Sequence, residues 1–409
     1  MKKSVLKEYA KIIVKIGANV QKGQDVVITC NVDDNYFAKY LVEECYKAKA
    51  RKVTMDFVSD EINRIKYKYE KEKDLAEFPN WLHERWKYYL DKLPARIYID
   101  SSDPDSLSGL DQDKITNVRK ITGPIIRSYR NQMDNKYQWV IAGIPGVKWA
   151  RKVFPDLSPK KAMEKLWETI LEVTRCNGDG VKNWEIHNKI LKEKTDKLNE
   201  LGIKKLIYKN SIGTDFTIEL PKEMIFNSGS EVTYSGVVYN PNMPTEECFT
   251  SPNKNTANGI VYASKPLSVL GSVVSDFGFE FKNGKIIRVI SDKENEKSLL
   301  EKLISVDEGA SYLGEVALVP FDSPINKSGV LFYSTLYDEN AVCHLAIGES
   351  FTECIKDYQK LSEEEIKKIP LNKSAIHVDF MIGTEDLKIK AETYDGDIVT
   401  IFENGLFAI

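Results

Sequence analysis

The feature that most restricts the fold of this sequence is the alternation, near its start, of short β-branched runs with a segment of helical periodicity. Residues 26–29 are a short β-branched run between polar turns, as expected of a buried strand, and residues 53–57 are the next predicted strand. Between them, residues 34–49 carry apolar side chains at helical spacing. Because a connection of this length suits a crossover rather than a hairpin, the pattern predicts a parallel β–α–β unit.

The same alternation continues through the first half of the chain. Residues 96–100 and 138–142 are predicted strands, and residues 113–131 are predicted to be partly helical with an interruption at Gly123-Pro124. Further helices are predicted at 6–20, at 149–154 and from Pro159 after the cap Ser158. No Gly-x-Gly-x-x-Gly run follows a predicted strand, so a dinucleotide site is not expected. Residues 1–180 are therefore expected to form an α/β domain with an open, mostly parallel sheet.

The pattern changes after a Gly- and Asn-containing stretch at 176–181, which is the best linker candidate. A long helix is predicted from about 184 to 201, and shorter ones near 293–305 and 361–368. Residues 279–289 form an alternating strand, an Asn-Gly turn and a second strand, which is the strongest hairpin signal in the sequence, and Asn404-Gly405 marks another turn. Residues 181–409 are expected to form an α+β, largely antiparallel catalytic domain.

Composition narrows the class of partner and the compartment. The 409 residues are 29% charged, yet the formal net charge is only −3, which gives no reason to expect a nucleic acid or an anionic membrane as partner. No apolar run reaches the roughly 18–20 residues that cross a bilayer, and the charged start does not resemble a signal peptide. The six cysteines are scattered and form no Cys-x-x-Cys pair, so reduced thiols in the cytoplasm are expected.

His377 and Asp379 are the clearest candidates for chemistry. They lie two residues apart in an apolar run, so on a strand they point to one face while Val378 and Phe380 point to the core. An imidazole beside a carboxylate provides two ligands for a divalent ion. The alternative is a hydrogen-bonded His-Asp pair without a metal.

Three other segments carry candidate ligands. Glu315 begins an apolar strand, and Glu246 and Glu247 lie in a stretch flanked by prolines, which stiffen the backbone around the acidic pair. His344 follows Glu339 in an apolar context. Each admits an ordinary structural reading: a solvated acidic loop, a turn, or a buried histidine that is satisfied by hydrogen bonds.

The combination favours a metal site. Two histidines and at least three carboxylates suit one or two Zn, Mn, Co or Mg ions. Such a pair of ions activates water for hydrolysis, and a further carboxylate can take the proton. A thiol hydrolase is a minor alternative, because Cys343 and His344 are adjacent and would face opposite sides of a strand.

Four ordered segments resemble the thermophilic metalloaminopeptidase family, the group of aminopeptidase T, aminopeptidase S and PepS. These segments are residues 242–252, 314–319, 331–348 and 377–383. The first half of the chain also matches, at Gln-Lys-Gly-Gln (21–24), Trp149-Ala, Phe154-Pro-Asp and 162–167. The resemblance thus covers nearly the whole chain.

The resemblance implies release of N-terminal amino acids from short peptides by a site with two divalent ions. It also implies a homodimer whose active sites face an enclosed space. The metal ligands that it implies are Glu247, Glu315, His344, His377 and Asp379. Glu246 is the weaker ligand candidate of its pair and is assigned, with Glu339, to catalysis.

One position departs from the family pattern. A tyrosine that assists the chemistry is expected seven residues after His344, where this chain has Phe351. Phenylalanine cannot donate a hydrogen bond, and loss of one such donor costs roughly 10²- to 10³-fold in rate. Either Tyr337 or Tyr333 replaces that donor, or the chain is a catalytically impaired homologue that binds peptide or metal.

Overall fold

The computed structural model of the protein describes residues 1–269 and 272–409. Its helices, in chain order, are α1 (Lys3–Ile12), α2 (Asn35–Lys47), α3 (Asp60–Tyr69), α4 (Glu72–Leu75), α5 (Asn80–Lys92), α6 (Gln112–Met133), α7 (Val147–Val153), α8 (Pro159–Val173), α9 (Gly180–Glu200), α10 (Glu294–Leu303), α11 (Pro324–Lys327), α12 (Thr335–Asp338) and α13 (Glu363–Ile366). Within the described residues, every helix is too short or too polar to cross a membrane.

The strands, in chain order, are β1 (Asp25–Asn31), β2 (Lys52–Val58), β3 (Ala95–Asp100), β4 (Trp139–Gly143), β5 (Ile203–Lys209), β6 (Asp215–Glu219), β7 (Asn227–Ser228), β8 (Glu231–Val232), β9 (Val238–Tyr239), β10 (Asn242–Met243), β11 (Cys248–Thr250), β12 (Asn258–Tyr262), β13 (Leu267–Val269), β14 (Ser272–Val274), β15 (Phe277–Lys282), β16 (Lys285–Ser291), β17 (Leu313–Leu318), β18 (His344–Gly348), β19 (His377–Met381), β20 (Lys388–Thr393), β21 (Ile398–Glu403) and β22 (Leu406–Phe407).

The chain forms two compact units. The first consists of Met1–Ile186 and Ser230–Pro244, and the second of His187–Gly229 and Thr245–Ile409. The domain boundary expected near residue 180 stays a prediction, since compactness alone does not show that a segment folds independently.

The first unit is built on a five-stranded sheet in the order β10-β4-β3-β1-β2, and its pairs are parallel. Helix α2 connects β1 to β2, as the alternation of periods predicted. Fully buried Val26, Ile28 and Ile97 lie in its central strands, as is typical of a parallel sheet covered on both faces. The expected open, mostly parallel α/β arrangement is therefore confirmed.

One local prediction in this unit was wrong. Helix α6 runs without interruption through Gly123 and Pro124, whereas a break was expected there. Proline removes one N–H and leaves the carbonyl four residues earlier without its helical donor. That residue is the exposed Lys120, so water can satisfy its carbonyl and the helix continues.

The second unit contains two antiparallel sheets whose apolar faces form one core. A five-stranded sheet has the order β19-β18-β17-β11-β7, and an eight-stranded sheet has the order β16-β15-β12-β6-β5-β20-β21-β22. The strands β13 and β14 form a separate antiparallel pair in the same unit. The rings of Phe380 and Phe279, one from each sheet, lie 5.2 Å apart in this core. The hairpins predicted at Asn283-Gly284 and Asn404-Gly405 are confirmed as β15–β16 and β21–β22.

Candidate metal centre

Three neighbouring strands of the five-stranded sheet carry four of the predicted ligands on one face. Glu315 lies on β17, His344 begins β18, and His377 and Asp379 lie on β19. Because side chains alternate along a strand, the residues between them face the other side. Those residues belong to the hydrophobic core: Val316, Leu345, Ile347 and Phe380.

The register of the strands places small residues between the candidate ligands. Glu315 is paired with Ala346, which is paired in turn with Asp379, and His377 is paired with Gly348. Ala346 is fully buried. Its single methyl group leaves space between the two flanking carboxylates, where a larger side chain would project onto the face that carries the ligands.

The fifth predicted ligand, Glu247, comes from the segment that precedes β11, the strand paired with β17. Two buried side chains hold this segment. The Glu246 amide donates to Asn340 Oδ1 at 2.7 Å, and His187 Nε2 donates to the Thr245 carbonyl at 2.8 Å. Both bonds hold the peptide between Thr245 and Glu246, so the backbone is fixed directly before Glu247.

The five side chains form two overlapping groups of potential ligands. One group is Glu247, Glu315 and His344, and the other is Glu315, His377 and Asp379; within each group the ligand atoms lie within 4.8 Å of one another. His344 Nε2 is 3.4 Å from Glu247 Oε2, and His377 Nε2 is 3.1 Å from Glu315 Oε2. Glu315 is common to both groups.

His377 is oriented by a backbone carbonyl. Its Nδ1 donates to the Glu349 oxygen at 2.8 Å, which directs Nε2 toward Glu315 and toward Asp379 Oδ1, 3.3 Å away. Burial lowers the pKa of His377, but Asp379 and Glu315 outweigh it and raise the pKa to about 12. The site thus strongly favours positive charge at this position.

The charges of the site fit a cationic ligand. Burial, and after it the negative charges of Glu315 and Asp379, raise the pKa of Glu247 well above its ordinary value. Carboxylates that repel one another in a buried place are stabilised by a bound cation. Carboxylate oxygens together with imidazole nitrogens suit Zn, Co and Mn ions, so the residues present fit the metal that the sequence predicted.

The three residues predicted to assist catalysis lie in different surroundings. Glu339 borders, with Asp379, a cavity of ≈110 Å³, and its pKa is raised by burial and then by Asp379, Glu247 and Glu315. The Glu246 carboxylate lies 3.8 Å from His187 Nε2, and the buried Tyr337 ring stacks on Phe332 with centroids 4.6 Å apart. The catalytic roles of all three stay predictions.

Phe351 lies at the site, in contact with a candidate ligand. Its ring centroid is 4.8 Å from that of His377 and 5.5 Å from that of Phe249. Its backbone N–H donates to Ser251 Oγ at 2.8 Å, which holds the backbone that carries the ring. The aromatic ring that replaces the expected tyrosine is therefore close enough to affect the site.

Cys343 does not form a nucleophile–base pair with His344. Its thiol donates to the Val319 carbonyl at 3.3 Å, and the side chain belongs to the hydrophobic core on the opposite face of the sheet. Burial raises the thiol pKa to about 12, which keeps it protonated at neutral pH. The thiol-hydrolase alternative is wrong for this geometric reason.

Several residues that shape the site were not anticipated. Asn340, Ala346, Glu349 and His187 hold or space the ligand segments through the contacts described above. Asn340 and Ala346 lie inside the segment already singled out around His344, which was the available signal. His187 lies far from it in sequence, and its contact depends on the fold.

Known proteins resemble this chain over its full length. The family described as Thermophilic metalloprotease (M29) matches residues 2–407. The aminopeptidase AmpS of Bacillus subtilis is 40% identical over 405 residues, which are 98% of each chain, and the aminopeptidase PepS of Streptococcus thermophilus is 36% identical over 100% of this chain and 98% of its own.

A solved structure agrees with the whole fold. The structure of wild-type AmpT from Thermus thermophilus superposes with a TM-score of 0.90 at 32% identity, over 100% of both chains. The resemblance that the four sequence segments indicated is thereby confirmed. The chain belongs to the thermophilic metalloprotease (M29) family, and it is a metal-dependent peptidase.

Proposed function

We propose that the protein is an aminopeptidase that releases N-terminal amino acids from short peptides with the help of two divalent ions. The observation that supports this most directly is the sharing of Glu315 by the two candidate ligand groups. A carboxylate common to two ligand sets is the arrangement used to bridge a pair of ions in hydrolases. The relatives named as aminopeptidases support the same specificity for the N-terminal residue.

Each of the two ligand groups would hold one ion. Glu247 and His344 would hold one, His377 and Asp379 would hold the other, and Glu315, which belongs to both groups, would contribute to each. The ions are Zn, Co, Mn or Mg, since carboxylate and imidazole ligands suit several metals. Bound there, they would supply Lewis-acid activation of the scissile carbonyl and of the attacking water.

The chain's own residues position and move protons. The Glu349 carbonyl fixes the tautomer of His377, so that Nε2 is the ligating nitrogen. Glu339, which borders the same cavity as the candidate ligand Asp379, is the proposed proton acceptor. The Glu246 amide, held by Asn340, fixes the backbone before Glu247. Tyr333, which borders the cavity beside Glu339, is better placed than the buried Tyr337 to donate a hydrogen bond.

We also propose that the protein is a cytoplasmic homodimer. All six cysteines are buried and free, which is compatible with a reducing compartment. The dimer rests on family membership alone.

The test is a comparison of metal content and turnover. The wild-type protein, loaded with Zn or Co, is expected to hold about two ions per chain and to cleave a leucyl chromogenic amide. Chelation should abolish cleavage, and added metal should restore it. Glu315→Gln should lower both metal content and rate, whereas the neighbouring acidic control Glu246→Gln should retain its metal. Full activity in exhaustively chelated protein would contradict the proposal.

A catalytically impaired homologue is the second candidate, favoured by the contact of Phe351 with His377. In that case the wild-type protein binds metal but hydrolyses peptides slowly, and Phe351→Tyr raises the rate by roughly 10²-fold by supplying a hydroxyl donor. An unchanged rate in Phe351→Tyr, together with efficient cleavage by the wild-type protein, would reject this candidate.

A further inference from the structure

A cavity of ≈470 Å³ lies in the second unit, where β17 begins and β18 ends. Tyr312 directly precedes β17, Glu349 directly follows β18, and both line the cavity. Its volume lies within the roughly 300–1,000 Å³ that is typical of small-molecule sites. The described part of its wall contains none of the five candidate metal ligands, so the steps proposed above give this cavity no role.

We infer that the cavity is a second ligand site, which binds a small carboxylate with an apolar body of about leucine or phenylalanine size. More of its wall is apolar than polar, and the side chains that provide the apolar surface are Tyr312, Ile366, Ile369 and Leu371. An apolar body that leaves water for this surface is favoured in proportion to the area that it buries.

The charges on the wall favour a negative group on the ligand. Three lysines line the cavity, at Lys254, Lys367 and Lys373, together with two carboxylates, Glu308 and Glu349. One positive charge is therefore in excess. Because an ammonium group stabilises a carboxylate by charge and by hydrogen bonding, an acid is favoured over a neutral or basic molecule of the same shape.

Two of the lysines are available to such a ligand. Within the described residues, Lys254 and Lys373 make no ion pair. The half-buried Lys254 is held close to the wall, since its amide donates to the Pro370 carbonyl at 3.0 Å and its ammonium group lies 5.8 Å from the centre of the Tyr312 ring. Its charge thus lies beside the apolar surface, as a ligand with one acidic end requires.

The shape of the cavity is held by Asn372, a buried residue of its wall. Its Nδ2 donates to the Gly348 carbonyl at 2.6 Å and to the Gly309 carbonyl at 2.7 Å. Its backbone N–H donates to Ser350 Oγ at 3.1 Å, and its carbonyl accepts the Ser350 amide at 3.1 Å. A wall that is fixed before the ligand arrives lowers the entropic cost of binding.

The test is calorimetry of the metal-loaded, full-length protein with N-acetyl-L-leucine as the probe. The blocked amine prevents this molecule from acting as the N-terminal residue of a substrate. The wild-type protein should bind it. N-acetyl-L-leucinamide, which lacks the carboxylate, and N-acetylglycine, which lacks the apolar side chain, should each bind at least about tenfold more weakly.

The double variant Lys254→Gln, Lys373→Gln removes the two available ammonium groups and should raise the Kd of the probe at least about fivefold. Lys390→Gln, at an exposed lysine of β20 in the same unit, is the matched control and should bind the probe as the wild-type protein does. The inference is overturned if the probe does not bind, or if the double variant binds it as tightly as the wild-type protein. A carboxylate held by metal ions would give the second result.

Two sources could supply the carboxylate: the C-terminal end of a peptide substrate, or a separate acid. Only this distinction rests on the proposed function. If the substrate supplies it, the peptide Leu-Gly-Leu should be cleaved at least about fivefold more efficiently than its C-terminal amide, and the double variant should lose this preference. Equal cleavage of the two peptides, with lysine-dependent binding of the probe, identifies a separate acid. If the wild-type protein cleaves no peptide, the proposed function fails, and the calorimetry still decides this inference.

Discussion

Asn340 connects two segments of the candidate metal centre, and its replacement is the sharpest test of how the site is held. The side chain is fully buried, with Oδ1 accepting the Glu246 amide at 2.7 Å. Its Nδ2 donates to the Leu336 carbonyl at 3.1 Å and lies 3.4 Å from Glu339 Oε1. Asn340 thus fixes the backbone beside Glu247 relative to the segment that carries Glu339.

Asn340→Leu fills a similar volume but removes these bonds. The Glu246 amide and the Leu336 carbonyl would remain buried without their present partner, at about 1–3 kcal/mol each. The free energy of unfolding should therefore fall by roughly 2–6 kcal/mol. Because Glu247 loses its backbone support, the affinity for Zn should fall about 10- to 100-fold, the usual cost of losing a group that orients a ligand.

Zn affinity is measured by competition with a chromophoric chelator, and stability by urea unfolding followed by circular dichroism. Asn199→Leu is the control. Asn199 also donates to and accepts from the backbone of one residue, Phe226, but does not contact the ligand segments. The control should lose some stability and keep wild-type Zn affinity. If Asn340→Leu binds Zn as tightly as the wild-type protein, the ligand segment does not depend on Asn340 and the reasoning is refuted.

Three further predictions concern separate features. Ala346→Leu should place a larger side chain between Glu315 and Asp379. The metal content should fall by about one ion per chain or more and activity should be lost, while the circular dichroism spectrum stays that of the wild-type protein. Full metal content would show that the space beside Ala346 is not used. The Asp34 carboxylate accepts a hydrogen bond from the Ser101 hydroxyl, and burial raises the pKa of Asp34 to about 6. The folded state therefore favours the neutral carboxyl. This contribution to stability is fully present below the ordinary pKa of 3.8 and is lost as the pH rises through 6. Relative to the wild-type protein, the free energy of unfolding of Asp34→Asn should therefore rise by about 3 kcal/mol between pH 3.5 and pH 7. Unfolding is measured by the fluorescence of the six tryptophans, all of which lie in the first unit. A gain that does not depend on pH would contradict this assignment. Cys343→Ala should keep the kcat of the wild-type enzyme, because the thiol faces the core, and a large loss of kcat at unchanged metal content would restore the thiol as a participant.

Much of the local structure could be predicted because it depends on neighbours in sequence. The alternating pattern around His377 and Asp379 gave the correct face for each side chain, and the Asn283-Gly284 turn located a hairpin. Prediction was weaker where residues mainly face solvent. Helices α3 and α5, at Asp60–Tyr69 and Asn80–Lys92, went unpredicted because many of their residues are charged and the apolar stripe is thin.

The site was predicted as a set of residues and not as an arrangement. Resemblance named the five candidate ligands, but not their division into two groups that share Glu315, nor the role of Ala346 in spacing two carboxylates. Those facts depend on which strands are neighbours. The order β19-β18-β17-β11 follows from packing of the whole core, to which distant parts of the chain contribute.

The sequence by itself determined the alternation of strands and helices, the pairing of His377 with Asp379 on one face, and the membership of a metallopeptidase family. It did so because periodicity and short motifs are local properties. Only the tertiary structure decided that Glu247 approaches Glu315 and His344, that Asn340 holds the segment beside it, and that a cavity adjoins Asp379. These contacts join residues far apart in the chain, and their geometry follows from the packed core rather than from any single segment.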